Sequence, residues 1–229
     1  MPKNLFFDLD HTIWDFDANA EETLRELYHI YQVRYLSPKS EQDFLDIYVK
    51  NNEEMWKLYR QNKITKAVLR SKRFVDTFRD MDVDEEDIPH NIWEKYLEIC
   101  PTKTILMPGA VETLDYLAGK YELHLITNGF SEVQHRKLTH SNLEQYFKSM
   151  TISEEVGVQK PHPLVFETAL KNAKSNLKTS HYIGDNLEAD VKGAINSGWK
   201  AYWLTKNPDL FRHDDCTAIA HLTELKEMF

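Results

Sequence analysis

Short apolar runs separated by segments of helical character recur along much of this chain. The strand-like runs are residues 4–8, Leu123–Thr127, Ser149–Ser153, His181–Gly184 and Ala201–Leu204. Helical stretches lie between or beside them, at 109–119, 131–145, 162–175 and 187–197. Strands that alternate with helices in this way are typical of a parallel sheet covered by helices on both faces. The pattern therefore predicts an α/β fold.

Residues 16–100 have a different pattern. They contain no convincing strand, and their apolar residues recur at helical spacing in four pieces, 18–35, 40–61, 64–80 and 85–99. We interpret this segment as a helical domain inserted after the first strand, so that residues 1–15 and 101–229 form the sheet domain. An insertion just after the functional edge of a sheet is expected to act as a lid over that edge.

The first predicted strand runs directly into two acidic residues, Asp8 and Asp10. In open α/β sheets, ligands bind at the edge where the strands end. Residues two apart on an extended strand point the same way, so both carboxylates would face one spot if the strand continued that far. Two unpaired carboxylates so close repel each other, which predicts a divalent cation or a shared proton between them.

Three further polar clusters follow later strands. They are Thr127-Asn128 with Gly129, Lys160-Pro161, and the segment from Asp185 to Asp190. Each cluster alone is a weak signal, because such short combinations occur by chance in many chains. Their order and their common position at strand ends predict a single site at the carboxyl edge of the sheet.

Composition limits the classes of partner. The chain has 229 residues, with 28 basic and 37 acidic side chains and a formal net charge of −9. This charge argues against a general nucleic-acid or anionic-membrane surface, but a metal ion and one lysine can still hold an anionic substrate. We expect no transmembrane helix and no secretory signal. Cys100 and Cys216 have no metal-ligand spacing, and a cytoplasmic setting is expected.

The four clusters together resemble those of the haloacid dehalogenase superfamily, in its magnesium-dependent phosphatase branch with a helical cap. The segments FFDLDHTIWDF, LITNGF, SEEVGVQKPHP and IGDNLEADVKGA are most similar to the nucleoside 5'-monophosphate phosphatases, which prefer pyrimidine nucleotides. The resemblance covers residues 1–15 and about 101–229. It implies a Rossmann-like parallel sheet with residues 16–100 as an inserted α-helical cap, and a small phosphate monoester as the substrate.

The resemblance also implies a role for each motif residue. Asp8 is the expected nucleophile, which forms an aspartyl-phosphate, and Asp10 the expected general acid and base. The expected phosphate contacts are Thr127, Asn128 and Lys160, with His11 as a further contact to substrate or cap. The expected Mg²⁺ site consists of Asp8, the backbone carbonyl of Asp10, and Asp185, with Asp190 as a ligand or as support for a bound water.

Three positions separate members of this superfamily. The resemblance implies that dehalogenases lack an acid at the position of Asp10, since a departing halide needs no proton, so its presence favours phosphoryl transfer. The commoner pattern has glycine where His11 stands, which predicts a turn of different backbone freedom. Many relatives carry a larger residue in place of Gly129, and its small size is expected to leave room for a leaving group.

Some alternatives stay open. A phosphatase of a small metabolite, such as phosphoglycolate or a sugar phosphate, is the second enzymatic interpretation, and a mutase a third. A non-catalytic nucleotide-binding regulator represents another class. The basic residues Lys66, Arg70 and Arg73 would form either a solvated face or a contact to the nucleotide. We expect a monomer or a weak homodimer.

Overall fold

The computed structural model describes residues 3–229, which form two compact units. We call one the sheet unit; it comprises residues 3–16 and Thr104–Phe229. The other, the helical unit, comprises Asp17–Lys103. The polar residues predicted above to form the site all belong to the sheet unit, whereas the basic residues Lys66, Arg70 and Arg73 belong to the helical unit.

The sheet unit contains six strands that pair in parallel in the order β3-β2-β1-β4-β5-β6. Their bounds are β1 Asn4–Phe7, β2 Glu122–Thr127, β3 Phe147–Ile152, β4 Ser180–Gly184, β5 Lys200–Leu204 and β6 Cys216–Ile219. The predicted α/β class with a Rossmann-like parallel sheet is confirmed. The sixth strand was not predicted, because only the last of its four residues is buried and Thr217 interrupts the apolar run.

The register of β1 positions the site. Phe7, the last residue of β1, pairs with Leu125 of β2 on one side and with Ile183 of β4 on the other. All three side chains are fully buried. Since β1 is covered on both sides by neighbouring strands, the polar residues that follow it are held at the centre of the sheet edge.

Helices are numbered in chain order. Those of the sheet unit are α5 Ala110–Ala118, α6 Ser131–His140, α7 Ser153–Val156, α8 Pro163–Asn172, a π-helical segment Leu187–Lys192, α9 Gly193–Asn196 and α10 Leu225–Met228. A buried cluster lies between the sheet and α8, where Phe6 packs edge-on against Trp199 at 4.9 Å and Phe166 against Tyr182 at 5.6 Å.

The α-helices of the helical unit are α1 Phe16–Ile30, whose first residue belongs to the sheet unit, α2 Glu41–Arg60, α3 Lys66–Asp80 and α4 Ile92–Ile99. Helix α2 begins with a capping box between Ser40 and Asp43, and the Thr65 side chain caps α3. The helix predicted at 85–99 is wrong in its first half. A short 3-10 turn at Glu85–Asp87 precedes Pro89, which cannot donate a helical hydrogen bond, and α4 starts only afterwards.

One prediction about the basic residues is also wrong. Arg73 is neither a solvated nor an accessible residue, because it is only 4% exposed. Its guanidinium group donates to Asn52 at 2.8 Å and lies 4.9 Å from the ring centroid of Tyr96 and 5.7 Å from that of Tyr48. The aromatic rings of the helical core therefore surround the charge.

Other boundaries differ by a few residues. Helix α6 ends at His140 rather than at 145, since Asn142 adopts a left-handed conformation with φ of +54° and breaks the helix. The strand predicted at Ser149–Ser153 starts and ends earlier, and Ser153 begins α7. Among residues 3–229, no helix combines the length and apolar character that crossing a bilayer requires.

Candidate active site

Several of the predicted site residues lie at one edge of the sheet. Asp8 directly follows β1, Thr127 is the last residue of β2, and Asp185 directly follows β4. Because parallel strands end at the same edge of the sheet, the polar residues that end or follow them lie close together there. Lys160 and Asp190 join them from the segments after β3 and β4.

Lys160 places a buried ammonium group between two carboxylates. Its Nζ lies 2.7 Å from Asp8 Oδ1 and 2.6 Å from Asp190 Oδ1, and it donates to the carbonyl of Ile126 at 2.9 Å. The hydroxyl oxygen of Tyr182 also lies 2.9 Å from Nζ, so four acceptors surround the three protons, and this hydroxyl donates its own proton to Asp190 at 2.9 Å. Burial lowers the pKa of Lys160, but Asp190 and Asp8 together raise it above its ordinary value, so the lysine is charged.

A third carboxylate, that of Asp185, lies close to the two that hold Lys160. Asp8, Asp185 and Asp190 each offer an oxygen, and these oxygens lie within 4.8 Å of one another. Burial, assisted by Asp190, raises the pKa of Asp185 to about 7. Burial also raises the pKa of Asp8 well above its ordinary value, although Lys160 opposes this and the neighbouring carboxylates add to it. If all three carboxylates were ionised, the cluster would carry more negative charge than Lys160 balances, so without a cation a proton on Asp185 or Asp8 is favoured.

The donor set fits a hard divalent cation. All three side chains offer oxygen, the ligand atom that Mg²⁺ prefers, and a cation would balance the excess negative charge. Asp190 accepts the most hydrogen bonds of the three. Its Oδ1 accepts from Lys160 and Tyr182, and its Oδ2 accepts from the backbone N–H of Asn186 at 3.0 Å. Asp185 Oδ1 accepts from the hydroxyl of Thr12 at 3.0 Å. Asp8 and Asp185 are thus more available to a metal than Asp190.

Asp10 lies apart from this cluster and has its own lysine. Lys137 Nζ is 2.5 Å from Asp10 Oδ1, and Gln134 Nε2 donates to Asp10 Oδ2 at 2.8 Å. Strand β1 ends before Asp8, so the extended geometry that would have made the two carboxylates face one spot is not present. Burial would raise the pKa of Asp10, but the charge and hydrogen bond of Lys137 and the hydrogen bond of Gln134 outweigh it and lower that pKa.

Lys137 and Gln134 are site residues that the sequence did not single out. Lys137 is 3% exposed and Gln134 is fully buried. The Lys137 ammonium group also lies 4.2 Å from the ring centroid of Trp14 and 5.4 Å from that of Phe16. The sequence did offer one signal. Gln134 and Lys137 are three residues apart on α6, and Leu138, an apolar residue of the buried face, lies four residues after Gln134, so helical spacing places both polar residues on that face.

Thr127 and Asn128 have structural partners within the site. The hydroxyl oxygen of Thr127 accepts from the backbone N–H of Gly129 at 3.0 Å and from Gln134 Nε2 at 2.6 Å, which leaves its own proton available. Asn128 holds Lys160 through two hydrogen bonds: its Oδ1 accepts from the backbone N–H at 2.8 Å, and its Nδ2 donates to the carbonyl at 3.1 Å. Asn128 therefore fixes the position of the lysine.

The structure corrects the expectation for Gly129 and gives the backbone conformation of His11, whose contact to substrate or cap stays a prediction. A Cβ at Gly129 would lie 2.1 Å from Gln134 Nε2, so the space beside this glycine holds the glutamine side chain and not a leaving group. His11 has φ of +62°, the left-handed conformation that glycine adopts without strain, and its ring lies 5.1 Å from that of Phe16. The turn thus has a glycine-like backbone despite the side chain.

The model of one protein family, described as haloacid dehalogenase-like hydrolase, matches residues 5–204 of this chain. The chain belongs to the haloacid dehalogenase-like hydrolases. This confirms the predicted resemblance and makes the chain a hydrolase, and the matched residues include every predicted site residue. The matched range also includes Lys137 and Gln134.

Two similar haloacid dehalogenase-like relatives are named pyrimidine 5'-nucleotidases. YjjG of Escherichia coli (strain K12) is 33% identical over 201 residues, which cover 87% of this chain and 84% of the relative. PynA of Streptococcus pneumoniae (strain ATCC BAA-255 / R6) is 32% identical over 203 residues, which cover 88% and 83%. The similarity extends over most of both proteins and therefore includes the helical unit as well as the sheet unit.

A solved haloacid dehalogenase-like structure has the same fold over nearly the whole length. It is the HAD-hydrolase YfnB from Bacillus subtilis bound to magnesium, with a TM-score of 0.86 and 27% identity, covering 99% of this chain and 98% of that chain. The likeness supports the fold class found here.

Proposed function

We propose that this hydrolase is a Mg²⁺-dependent phosphatase that acts through an aspartyl-phosphate on Asp8, with a nucleoside 5'-monophosphate as substrate. The observation that carries the proposal is the separate pairing of the two aspartates. Asp8 is paired with Lys160 within the acidic cluster, while Asp10 is paired with Lys137 outside it. Two carboxylates in different environments can take different catalytic roles.

In the proposed first half-reaction, an oxygen of Asp8 attacks phosphorus. The new bond between that oxygen and phosphorus forms as the bond from phosphorus to the ester oxygen breaks, and Asp10 gives its proton to the departing oxygen. Lys160 balances charge on Asp8, and the hydroxyl proton of Thr127 is available to a phosphoryl oxygen.

In the proposed second half-reaction, Asp10 acts as the base. It removes a proton from a water molecule whose oxygen attacks phosphorus, and the bond between phosphorus and Asp8 breaks to release phosphate. The lowered pKa of Asp10 suits this step, because the carboxylate is ionised. A dianionic phosphate beside Asp10 raises its pKa and so favours the protonated form needed in the first step.

Mg²⁺ is proposed at the acidic cluster. Asp8, Asp185 and the backbone carbonyl of Asp10 would hold it, and Asp190, which is tied to Lys160 and Tyr182, would support the arrangement. When bound, the ion supplies positive charge that attracts the phosphate and offsets the excess of carboxylates.

Gln134 and Lys137 are proposed to position the acid–base residue. They hold both carboxylate oxygens of Asp10, and Gln134 links Asp10 to the hydroxyl of Thr127. A single helix, α6, thereby sets the distance between the proton-transfer group and the phosphate-binding group. The distance between these two groups affects the rate strongly, since small displacements of a catalytic group slow a reaction.

The nucleotide is proposed from the relatives. The proteins named pyrimidine 5'-nucleotidases match most of the chain at 33% and 32% identity, including the helical unit, which we propose as the cap that selects the substrate. The predicted cytoplasmic setting and the monomeric or weakly dimeric state stay predictions.

A panel of phosphate-release assays tests the substrate class. Pyrimidine and purine nucleoside 5'-monophosphates, phosphoglycolate and sugar phosphates are compared by kcat/KM, each with Mg²⁺ and with a chelator. We expect the highest kcat/KM for a pyrimidine nucleoside 5'-monophosphate, and no turnover with the chelator. A higher value for phosphoglycolate or a sugar phosphate would replace the nucleotide proposal, and nucleotide binding without any hydrolysis would favour the regulator.

A further inference from the structure

A cleft lined by lysines lies at the opposite edge of the sheet. The cleft, of about 770 Å³, opens where the strands begin, and its lining includes Asn4 and Glu122 from the starts of β1 and β2. Strand β1 rises about 3.3 Å per residue, so roughly 13 Å separates Asn4 from Asp8 at the other edge. The cleft is therefore distinct from the carboxylate site.

Four lysines line this cleft. Lys3, Lys120, Lys148 and Lys174 contribute to it, and Glu122 is the one acidic side chain in the lining. All four lysines are exposed. A local excess of three positive charges is a strong departure from the rest of a chain whose formal net charge is −9.

The four ammonium groups have no acidic partner. Within residues 3–229, no carboxylate lies within ion-pair distance of any of them; Lys120 instead lies 3.7 Å from the ring centroid of Tyr116. Some other exposed lysines are paired, such as Lys72 with Asp76 at 2.6 Å and Lys57 with Glu54 at 3.4 Å, but the cleft brings four unpaired ones together around one concavity. Unpaired like charges around one concavity repel each other, and an anion with several charges removes that repulsion.

The size and lining of the cleft suit a small molecule. Its volume lies in the range of ordinary ligand pockets, about 300–1,000 Å³. Polar side chains of Ser175, Asn176 and Thr179 line the cleft with the lysines. Tyr121 adds a partly exposed aromatic ring, which also packs against Phe229 at 5.5 Å. A chain of phosphates matches the charge, and the ring offers a surface to a nucleobase.

From these observations, we propose that the lysine cleft binds a small molecule that carries two or three linked phosphate groups. The shared chemistry is the linked phosphates, whose source is either a nucleoside triphosphate or an inorganic polyphosphate. The proposal does not rest on the catalytic function, because none of the residues that line the cleft belongs to the carboxylate site.

Isothermal titration calorimetry on the full chain tests this, with inorganic tripolyphosphate as the first probe and ATP as the second. Divalent cations are removed with a chelator, so that no metal ion at the carboxylate edge can attract either probe. The test variant is K148Q/K174Q. The matched control is K50Q/K206Q, which makes the same change in net charge at exposed lysines outside the cleft.

We expect the Kd for tripolyphosphate to rise at least tenfold in the cleft variant and less than twofold in the control, with the same melting temperature for all three proteins. Tighter binding of ATP than of tripolyphosphate would identify a nucleotide as the source, and equal or weaker binding would identify the polyphosphate. An unchanged Kd in the cleft variant, an equal loss in both variants, or no binding by the wild type at millimolar probe would overturn the proposal.

Discussion

At the scale of single residues, each aspartate that follows the first strand has its own buried lysine. Lys160 holds Asp8 and Lys137 holds Asp10, at 2.7 and 2.5 Å. The first pair was predictable, because Asp8 follows the first predicted strand and the family resemblance assigned Lys160, seven residues after the third predicted strand, to the same site. The second was not, since the inward direction of Lys137 depends on the rotation of α6 about its axis, and polar residues on a helix ordinarily face solvent.

The substitution K137M tests the proposed positioning role. Methionine fills the space beside Trp14 and Phe16 but cannot hold the carboxylate of Asp10. We expect kcat for phosphate release to fall by about 10- to 100-fold, with little change in KM. This is a smaller loss than removal of the general acid–base residue itself would cause, because Asp10 is still present.

The measurement is steady-state kinetics with K137R and K50M beside it. K137R keeps the charge and should recover part of kcat, whereas K50M should behave as the wild type. A kcat unchanged in K137M, or a fall matched by a lower melting temperature and not recovered in K137R, would contradict the positioning role.

The acidic cluster predicts how stability depends on pH. The pKa of Asp185 is raised to about 7 by burial and Asp190, whereas the unfolded chain has an ordinary value of about 3.9. The metal-free folded protein therefore holds a proton that the unfolded chain releases, and the resulting stabilisation is complete below about pH 4 and lost as the pH rises through 7.

Mg²⁺ reverses this loss, because it binds the ionised carboxylate. We expect saturating Mg²⁺ to raise the melting temperature by roughly 4 °C more at pH 8 than at pH 5.5. Calorimetry with Mg²⁺ or chelator at both values checks this, and D185N should lose most of the difference. An equal increase at the two values would mean that Asp185 is not a ligand.

At the scale of elements, alternation of strands and helices was predictable, but details set by tertiary contact were not. Five of the six strands follow apolar runs, and the sixth, Cys216–Ile219, has no such run. The helix expected at 187–197 instead begins as a π-helical segment, Leu187–Lys192, which brings Asp190 back onto β4. Sequence periodicity cannot distinguish a π-helical turn from an α-helical one, because the difference depends on Asp190 reaching Lys160 and Tyr182.

The close approach of Asp190 to β4 requires Gly184. A Cβ at Gly184 would lie 2.6 Å from Asp190 Oδ2 and 2.7 Å from its Cγ. We expect G184A to lower the free energy of unfolding by about 1–3 kcal/mol, the usual result of overpacking, and to reduce kcat by displacing Asp190 from Lys160.

Urea denaturation compares this variant with G119A. At Gly119 the nearest atom to an added Cβ is the carbonyl oxygen of Tyr116 at 3.6 Å, an ordinary contact, so the free energy of unfolding should change by less than about 0.5 kcal/mol. Equal effects of the two substitutions would show that the approach of Asp190 is not tight.

At the scale of the whole molecule, the chain forms two compact units, and the sheet unit has carboxylates at one edge of its sheet and lysines at the other. The helical unit was predictable as a block without strands, although its first and last residues and the burial of Arg73 were not. Arg73 is stabilised by rings that meet only after folding, so its sequence neighbours do not reveal it. We expect the helical unit to select the substrate while the sheet unit supplies the chemistry.

Replacing residues 17–103 with a short flexible linker tests that division. If the truncated protein keeps a cooperative thermal transition, its kcat for p-nitrophenyl phosphate should stay within about tenfold of the wild type, since the groups proposed for the chemistry lie in the sheet unit. Its kcat/KM values across the phosphate monoester panel should converge. Preserved discrimination between nucleotides and sugar phosphates would contradict the selecting role of the helical unit.

Mass spectrometry of the quenched D10N variant shows whether Asp8 becomes covalently phosphorylated. With p-nitrophenyl phosphate and Mg²⁺, the leaving group needs no proton, so attack by Asp8 proceeds while hydrolysis of the product is slowed. We predict one added phosphoryl group on the peptide that contains Asp8, and none in D8N/D10N. Phosphate release by D10N without any such adduct, or an adduct on another residue, would contradict the account.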